Sequence, residues 1–344
     1  MASAPSRPPR VCVTGGGGYV ASWLVKLLLS RGYAVHATVR DPSDPKNAHL
    51  GRMEGATPES LRLFKADVLD RDALAAAVAG CEGVFHVASP VPAEKVADPE
   101  AKVLAPAVSG TLNVLQACSE NSVHKVVVVS STAAVHFNPS WPQGRIKDES
   151  CWSDRDFCMK NEDWYSAAKT MAEQAALEYG EKNGLIVVTV CPCVVLGPLL
   201  QPVVNTTSEL LIYIIKGGPS LMKNVPWNIV DVRDVADALL LVYEKVDSCE
   251  RYICAPDRIT TKDMVNLLKK AYPNYNYVDC DGKDYESAIS RVTSEKLTSL
   301  GWKPRKMEET LCDSVECFKK AGFLQDVEGC PCRLPHLFHF ASDK

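Results

Sequence analysis

The sequence predicts an α/β fold, a doubly wound Rossmann-type parallel sheet with a smaller C-terminal substrate lobe. Three observations predict it. Short and almost continuously apolar runs alternate with longer helical patterns over the first two thirds of the chain, as in strands that are buried on both faces. A run of four glycines follows the first apolar run at once. After Pro198 the alternation gives way to helices, loops and scattered strands.

The apolar runs define the strands of the predicted sheet. They are six to eight residues long and rich in β-branched residues, which favours strands over helices. Two intervening segments, 21–30 and 105–121, have the longer pattern of helices. The repeated order of strand, helix and strand indicates parallel pairing. The predicted strands are 10–15, 33–39, 61–67, 83–89, 125–131 and 185–192.

Composition limits the classes of partner. The 344-residue chain carries 38 basic and 42 acidic residues, a formal net charge of -4, so it has no general attraction for nucleic acid or anionic membranes. No apolar stretch reaches the length of a membrane span, and we expect small-molecule partners. The N-terminal MASAPSRPPR lacks the hydrophobic segment of a signal peptide, so we expect a cytoplasmic protein.

The 14 cysteines are scattered along the chain, and several lie inside apolar runs. Buried free thiols in a reducing compartment explain this distribution better than a disulfide framework does. For Cys151 and Cys158, two reduced thiols are expected, and a redox-sensitive bridge is the alternative. No zinc-ligand spacing occurs in the sequence, and no metal site is expected.

The glycine run is a candidate phosphate-binding loop. Glycines directly after a strand let the backbone turn tightly and approach a pyrophosphate, while the following helix offers unpaired N–H groups. A flexible loop is the alternative, but Ala21 allows the close helix packing that a dinucleotide site needs. The candidate cofactor contacts in this loop are Thr14, Gly15, Gly17, Gly18, Tyr19 and Val20.

The end of the second strand distinguishes NADP from NAD. An acidic residue there would bind the ribose 2′-hydroxyl, yet Arg40 ends the strand and Lys46 follows six residues later. Two cations suit a 2′-phosphate, so NADPH is the expected cofactor; the alternative is that both decorate a surface loop. Asp67, after the third strand, is placed to accept from the adenine amine or to cap a helix. Further cofactor contacts are expected at Val68, Ala88, Ser89, Pro192 and Val195.

Tyr165 and Lys169 are the candidate proton-transfer pair. They lie four residues apart in a strongly helix-forming segment and therefore share one face. A lysine ammonium beside a phenol is expected to lower the pKa of the tyrosine, so that it exchanges a proton near neutral pH. The same lysine can hydrogen-bond the nicotinamide ribose. An ordinary solvated helix is the alternative.

The fifth strand ends in Ser130, Ser131 and Thr132, at the edge of the sheet where doubly wound enzymes bind ligands. A hydroxyl there can hydrogen-bond a substrate carbonyl and stabilise the developing oxyanion. Capping of the strand end is the alternative. Together with the glycine loop and the Tyr–Lys pair, these hydroxyls make three independent elements at the positions that a nicotinamide site needs.

Several segments resemble the extended short-chain dehydrogenase/reductases of plant phenylpropanoid metabolism. The resemblance covers nearly the whole chain and is greatest for the cinnamoyl-CoA reductases and cinnamoyl-CoA-reductase-like proteins, with dihydroflavonol reductase a more distant relative. It implies a catalytic set of Ser131, Tyr165 and Lys169, and an R-x5-K pattern at Arg40 and Lys46 for the 2′-phosphate of NADPH. The segments are TGGGGYVASWLVKLLL, GCEGVFHVASPV, VVVSSTAAV, DESCWSDRDFC, WYSAAKTMAEQAA, GPLLQP and VDVRDVADA.

The same resemblance points to differences in substrate recognition. The catalytic helix of the family resembles N-W-Y-C-Y-G-K, whereas this chain reads D-W-Y-S-A-A-K. After GPLLQP the family typically carries a His and, three residues later, a Lys, both linked to the CoA thioester substrate. This chain has Leu210 and Tyr213 at those positions. We therefore expect the cofactor chemistry to be intact and the recognition of a CoA ester to differ.

The remaining polar residues near the predicted cleft have two interpretations. Arg233 matches the family and, with Thr132, is a candidate substrate contact; the alternative is a structural ion pair between Arg233 and Asp231 or Asp234. His86 lies on a buried strand and is expected to be a hydrogen-bonded core residue.

The resemblance implies a reductase that passes hydride from NADPH to the carbonyl carbon of a phenylpropanoid, either a hydroxycinnamoyl-CoA thioester or a hydroxycinnamaldehyde. The alternatives are a catalytically weak protein that binds or senses NADP(H), a reductase of another aldehyde or ketone, and a sugar-nucleotide epimerase. We expect a monomer, with a dimer as the alternative. Residues 1–197 are predicted to be the NADP-binding Rossmann domain and 198–344 mainly the substrate lobe, with the chain interleaving between them.

Overall fold

The computed structural model describes residues 8–89, 96–248, 250–285, 289–326 and 332–342. Most of the N-terminal segment MASAPSRPPR, in which we expect no signal peptide, lies outside these ranges. The start of the first predicted domain and the end of the second also lie outside them. Within them, no helix combines the length and the apolar composition needed to cross a membrane.

A seven-stranded sheet forms the centre of the molecule, in the order β10-β6-β5-β4-β1-β2-β3, and every pairing in it is parallel. Two smaller sheets, β11-β9-β7 and β12-β8, lie outside it. The strands are β1 Arg10–Thr14, β2 Ala34–Val39, β3 Leu61–Lys65, β4 Gly83–His86, β5 Lys125–Val129, β6 Ile186–Pro192, β7 Val194–Leu196, β8 Met222–Asn224, β9 Pro226–Asp231, β10 Glu250–Cys254, β11 Asp257–Thr260 and β12 Cys280–Asp284.

Helices cover both faces of the central sheet. Apolar side chains of α1 and α8 form one core with the strands, and those of α2, α3 and α6 form another. Because helices cover both faces, the strands that separate the two cores are apolar on both faces. The helices are α1 Tyr19–Ser30, α2 Arg71–Val78, α3 Ala105–Glu120, α4 Ala133–His136, α5 Arg155–Lys160, α6 Trp164–Asn183, α7 Thr206–Lys216, α8 Val232–Glu244, α9 Thr261–Ala271, α10 Glu295–Ser299 and α11 Met307–Lys320.

The predicted fold class is confirmed, and each of the six predicted strands is present. Four strands, β1, β3, β4 and β5, end one to three residues earlier than predicted, whereas β2 and β6 end at Val39 and Pro192 as predicted. The polar residues at the predicted ends, such as Asp67 and Ser131, therefore lie in the loops that follow the strands. This is the arrangement that a ligand site at the carboxyl edge requires.

A separate apolar core lies in the C-terminal part of the chain, where α7, α9 and α11 pack around Trp227. The chain does not stay there. The α8 helix returns to cover the central sheet, and β10 pairs with β6 at its edge. The domain division between residues 197 and 198 stays a prediction. Both α8 and β10 follow residue 198 in sequence but pack with the central sheet.

The α6 helix, which carries the predicted Tyr–Lys pair, has a defined start and end. The Asp163 side chain accepts a hydrogen bond from the Ser166 amide at 3.0 Å and so caps the first turn. Gly184 ends the helix in the left-handed conformation, with φ 67°. Both ends fix the rotation of the helix over the sheet.

We predict that Gly180→Ala destabilises the protein although alanine is the better helix former. A methyl group at Gly180 would lie 2.8 Å from the Leu185 carbonyl oxygen and 2.7 Å from a Val187 methyl. The gain in helix propensity is about 1 kcal/mol, whereas overpacking against backbone costs about 1–3 kcal/mol. Urea unfolding should show a net loss of up to about 2 kcal/mol. In the control Gly51→Ala the new methyl meets nothing within 4 Å, so the free energy of unfolding should stay within about 0.5 kcal/mol. A Gly180→Ala protein as stable as wild type would contradict this account.

Candidate active site

The glycine loop is packed against its surroundings on several sides. Gly15 has φ 67°, and its amide donates to the Thr38 hydroxyl at 3.1 Å. The Gly16 amide donates to the Thr38 carbonyl at 2.8 Å, and a methyl group on Gly16 would lie 2.7 Å from the Ala37 side chain. The prediction omitted Gly16, because a run of four glycines does not reveal which of them packs against β2.

Gly18 begins α1 without a capping side chain, and the first turn of the helix holds no acidic residue. The free N–H groups and the positive end of the helix dipole therefore point to the carboxyl edge of the sheet, where they suit a pyrophosphate. Tyr19 lies in the same turn, but its hydroxyl donates to the Gly197 carbonyl at 2.9 Å. Val20 is partly buried and packs against the core beneath α1. These residues fit a dinucleotide.

The two predicted phosphate-binding cations follow β2. Arg40 is exposed, and the Lys46 ammonium lies 2.6 Å from the Asp44 carboxylate. The hydrogen bond from Lys46 lowers the pKa of Asp44, and the charge of Arg40 acts in the same direction. Lys46 thus pairs with Asp44, and the charge of Arg40 also acts on that carboxylate. Two cations that act on one anion suit the 2′-phosphate of NADPH.

Asn47 is a residue that the sequence prediction missed. It is buried, its amide donates to the Asp41 carbonyl at 2.8 Å, and a methyl group on Gly17 would lie 2.0 Å from its Oδ1 atom. Asn47 therefore closes the β2 loop over the glycine loop. Nothing in the local sequence marks an asparagine after Lys46 as buried.

Asp67 and Val68 lie beyond β3. The Asp67 side chain is exposed and accepts from the Leu69 amide at 3.0 Å, which forms a turn. Its alternative role as a helix cap is wrong, because Asp70 caps α2 by accepting from the Ala73 amide. Val68 lies against α3, where a methyl group on Gly110 would be 2.7 Å from it. The adenine contacts of Asp67 and Val68 stay predictions.

His86 joins the end of β4 to the glycine loop through a chain of hydrogen bonds whose directions can be worked out. The Thr14 hydroxyl accepts from the Val87 and Ala88 amides at 3.1 and 3.0 Å, so it donates its own proton to His86 Nδ1 at 2.9 Å. The Thr111 hydroxyl donates to the Ala107 carbonyl at 2.8 Å, so it accepts from His86 Nε2 at 3.2 Å.

His86 is therefore neutral, with its proton on Nε2. Burial lowers the pKa of His86 to about 3, and the charge of Lys169 acts in the same direction. The expectation of a hydrogen-bonded core histidine is met. Its effect is to hold Thr14 and, through it, Ala88 beside Gly15, whose missing side chain leaves Ala88 room. Ser89 follows at the rim of a small cavity next to Lys169.

The two serines after β5 point in different directions. The Ser130 hydroxyl is buried and donates to Glu173 at 2.7 Å. The Ser131 hydroxyl accepts from the Ala133 amide at 3.1 Å, and Ser131 acts to lower the pKa of Tyr165. Ser131 is therefore the serine that joins the predicted catalytic set, as the resemblance implied.

Tyr165 and Lys169 occupy one face of α6, as the spacing predicted. The Lys169 ammonium lies 6.0 Å from the centre of the Tyr165 ring and donates to the Val129 carbonyl at 3.2 Å. Burial lowers the pKa of Lys169 to about 8. The lysine lies beneath the tyrosine, between α6 and the end of β5.

The expected lowering of the tyrosine pKa is wrong for this structure. Burial raises the pKa of Tyr165, the hydrogen bond from Ser131 lowers it, and Asp163 raises it further. The ammonium of Lys169, 6.0 Å from the ring centre, does not reverse the burial effect. Tyr165 therefore keeps its proton at neutral pH, which is the form that a proton donor needs.

On the substrate side, Thr132 is buried and its amide donates to the Pro192 carbonyl at 2.9 Å. Val195 is buried in the core under α1 and α8. Both predicted contacts of Pro192 and Val195 with the cofactor stay predictions.

Arg233 forms the ion pair that was its alternative role. Its guanidinium donates to both oxygens of Asp231, at 2.9 and 2.7 Å, and lies 2.7 Å from Asp313. These carboxylates raise the pKa of Arg233. Asp234, the other proposed partner, is hydrogen-bonded to Arg305 instead. A substrate contact by Arg233 stays a prediction and would have to use an arginine already held by two acids.

Cys151 and Cys158 are both buried free thiols. Burial raises the pKa of Cys158 to about 12, so it carries little thiolate near neutral pH. The expectation of two reduced thiols describes this structure.

A family model described as the NAD dependent epimerase/dehydratase family matches residues 11–255. The chain belongs to this family. Cinnamoyl-CoA reductase 1 of Arabidopsis thaliana is 42% identical to it over 316 residues, which cover 91% of this chain and 90% of that protein. The predicted membership of the extended short-chain dehydrogenase/reductases is thereby confirmed.

Two solved structures extend the comparison to the fold. Vestitone reductase from alfalfa superposes with a TM-score of 0.79 at 33% identity, covering 92% of this chain and 99% of that one. The yeast methylglyoxal/isovaleraldehyde reductase Gre2, solved with NADPH, gives 0.79 at 27% identity, covering 91% and 99%. The chain described here is therefore an NADP-dependent oxidoreductase of the extended short-chain type, as predicted. The expectation of NADPH agrees with the nucleotide in the yeast structure.

We predict that Arg40→Ala and Lys46→Ala weaken binding of NADPH but not of NADH. Each cation would lose a charge-assisted hydrogen bond to the 2′-phosphate, worth about 1.5–3 kcal/mol, so the NADPH Kd should rise about tenfold or more in each variant. Fluorescence titration with both nucleotides measures this. The control is Arg62→Ala on β3, the strand next to β2. It removes an exposed arginine that lies over the Phe64 ring of the same strand. An equal loss of affinity for both nucleotides would overturn the assignment.

Proposed function

We propose that the protein reduces phenylpropanoid carbonyl compounds with hydride from NADPH. The observation that carries this proposal is the grouping of Tyr165 and Lys169 on one face of α6 with Ser131, which follows β5, at the carboxyl edge of the sheet. The proposal is supported by the similarity to cinnamoyl-CoA reductase 1 from Arabidopsis, which is 42% identical to this chain over 91% of the chain's length.

The chain's own residues would divide the work as follows. Bound NADPH supplies the hydride that reaches the carbonyl carbon. The Ser131 hydroxyl orients the carbonyl oxygen, and Tyr165, protonated at neutral pH, donates a proton to that oxygen. Lys169, with a pKa of about 8, is mostly protonated at neutral pH and stabilises the phenolate that the transfer leaves behind.

Two substrates fit this chemistry. With an aldehyde, one hydride and one proton give the alcohol. With a CoA thioester, hydride addition is followed by loss of the thiolate, which takes up the proton, so that an aldehyde and free CoA are formed. Both reactions consume one NADPH and one proton.

Leu210 and Tyr213 favour the aldehyde. They occupy the positions of the His and Lys that the resemblance links to the CoA ester, and both are buried in the C-terminal core, with 2% and 1% of their surface exposed. The Tyr213 hydroxyl accepts from the Ser220 amide at 3.1 Å. Neither side chain offers a positive charge to a CoA ester, so we propose hydroxycinnamaldehydes as the preferred substrates.

A protein that only senses NADP(H) needs the glycine loop and the two phosphate-binding cations. It does not need a serine, Ser131, grouped with Tyr165 and Lys169. This catalytic geometry supports an enzyme over a sensor.

The decisive assay follows NADPH oxidation with matched coniferaldehyde and feruloyl-CoA. We expect turnover of both classes to be lost together in Tyr165→Phe, with kcat reduced about 100-fold or more, because the proton donor is removed and nucleotide binding is retained. The matched control is Tyr179→Phe, a partly buried tyrosine nearer the end of the same helix, which loses only a bond to Ser119 and should keep wild-type kcat.

Three outcomes bear on the proposal. If wild-type protein binds NADPH yet turns over neither compound, the phenylpropanoid function is wrong. If feruloyl-CoA has the higher kcat/KM, the preference for aldehydes is wrong and the reductase stands. If Tyr165→Phe retains wild-type kcat, the proton-donor assignment fails.

We also propose that the protein works in the cytoplasm as a monomer. The cysteines of the described ranges carry free thiols, which suits a reducing compartment. Sedimentation at micromolar concentration is expected to give one species of monomer mass with and without NADPH; a dimer under both conditions would contradict the proposal.

A further inference from the structure

Glu173 is a buried acid with an unusual number of partners. Its side chain has no exposed surface, and its carboxylate receives hydrogen bonds from groups on two strands, β6 and β10, and on the loop after β5. Ser130 donates to Oε2 at 2.7 Å, while Thr189 and Cys191 donate to Oε1 at 2.6 and 3.3 Å. Arg251 donates through Nε at 2.7 Å and through a terminal nitrogen at 3.3 Å.

All of these groups act as donors, so Glu173 is an ionised carboxylate that uses only its acceptor capacity. A buried carboxylate is costly unless it is paired and fully hydrogen-bonded, and Arg251 supplies the opposite charge. Arg251 is itself fixed: it donates to the carbonyls of Glu149, Cys151 and Ala134 and stacks 3.4 Å from the centre of the Trp152 ring.

This charged cluster is joined to the catalytic residues in two ways. Glu173 follows Lys169 by one turn on the same face of α6. Ser130, held by Glu173, directly precedes Ser131. A cavity of about 20 Å³ is lined by Lys169, Glu173, Ser130 and His86 among others and has room for one water molecule.

The carboxylate also acts on the charge state of the lysine. Burial lowers the pKa of Lys169, and Cys191 and Glu173 oppose that effect. Burial raises the pKa of the Cys191 thiol, so Cys191 is uncharged at neutral pH and Glu173 is the anion that remains. Without it, more of the lysine would be neutral.

We propose that Glu173 is a positioning residue of the active site, which keeps the positive charge on Lys169 and holds the Ser130–Ser131 turn in place from beneath. The role in turnover rests on the proposed reductase function. The effect on Lys169 does not, and it can be measured without a substrate.

The test is acetylation by a small amount of acetic anhydride, with the Lys169 peptide quantified by mass spectrometry from pH 6 to 10. Only the neutral amine reacts. In Glu173→Gln the loss of the negative charge should move the midpoint down by about one pH unit, so labelling of Lys169 at pH 7 should rise about fivefold. Glu178→Gln is the matched control, because Glu178 is an exposed acid on the same helix that pairs with Lys182. It should leave labelling unchanged.

A conservative variant separates charge from shape. Glu173→Asp keeps the carboxylate, so Lys169 labelling should stay within about twofold of wild type even where turnover falls. With an active substrate, the high-pH limb of the kcat profile should also move to lower pH in Glu173→Gln. Loss of kcat by the same factor at every pH, with unchanged labelling, would reduce Glu173 to a structural residue and overturn the proposal.

Glu173→Gln leaves the buried Arg251 without its anion and is therefore at risk of unfolding. The double variant Glu173→Gln/Arg251→Gln removes both charges and supplies a version whose fold can be checked by circular dichroism. Increased labelling of Lys169 at pH 7 is expected there too, because Glu173, and not Arg251, is among the groups that act on the pKa of Lys169. Wild-type labelling in a folded double variant would also contradict the proposal. If neither phenylpropanoid is turned over by wild type, the proposed function fails while the labelling result still decides the role of Glu173.

Discussion

All strands of the central sheet run parallel, and this constraint brings their carboxyl ends to one edge. The glycine loop, the cations after β2, Ala88 and the Ser130–Ser131 turn are far apart in sequence and meet only because each follows a strand. An antiparallel strand at any of these places would send its loop to the opposite edge. The strand topology therefore determines where the site lies, whichever side chains its loops carry.

The same constraint explains why so much could be predicted from the sequence. Parallel strands covered on both faces are continuously apolar, so their positions can be read without knowing what covers them. Once the strands were placed, the edge that carries Gly15, Arg40 and Ser131 followed from their order. The spacing of Tyr165 and Lys169 needed only the geometry of a helix.

What could not be predicted depends on partners that are distant in sequence. The pKa of Tyr165 is governed by burial, and a helical repeat cannot show how deeply a side chain is buried. Arg233 is held by Asp313 from α11 as well as by its neighbour Asp231. Glu173 looks like an ordinary surface acid in WYSAAKTMAEQAA, and its counter-ion Arg251 is 78 residues away, on a strand that was not among those predicted.

The late position of β10 has a consequence for biosynthesis. This edge strand is made after every other strand of the sheet, and it delivers the guanidinium that neutralises the acid inside α6. Until roughly 250 residues have left the ribosome, a nascent chain that folded its nucleotide-binding half would seal an uncompensated anion in its interior. The native charge pairing around Glu173 is therefore complete only after β10 has been synthesised.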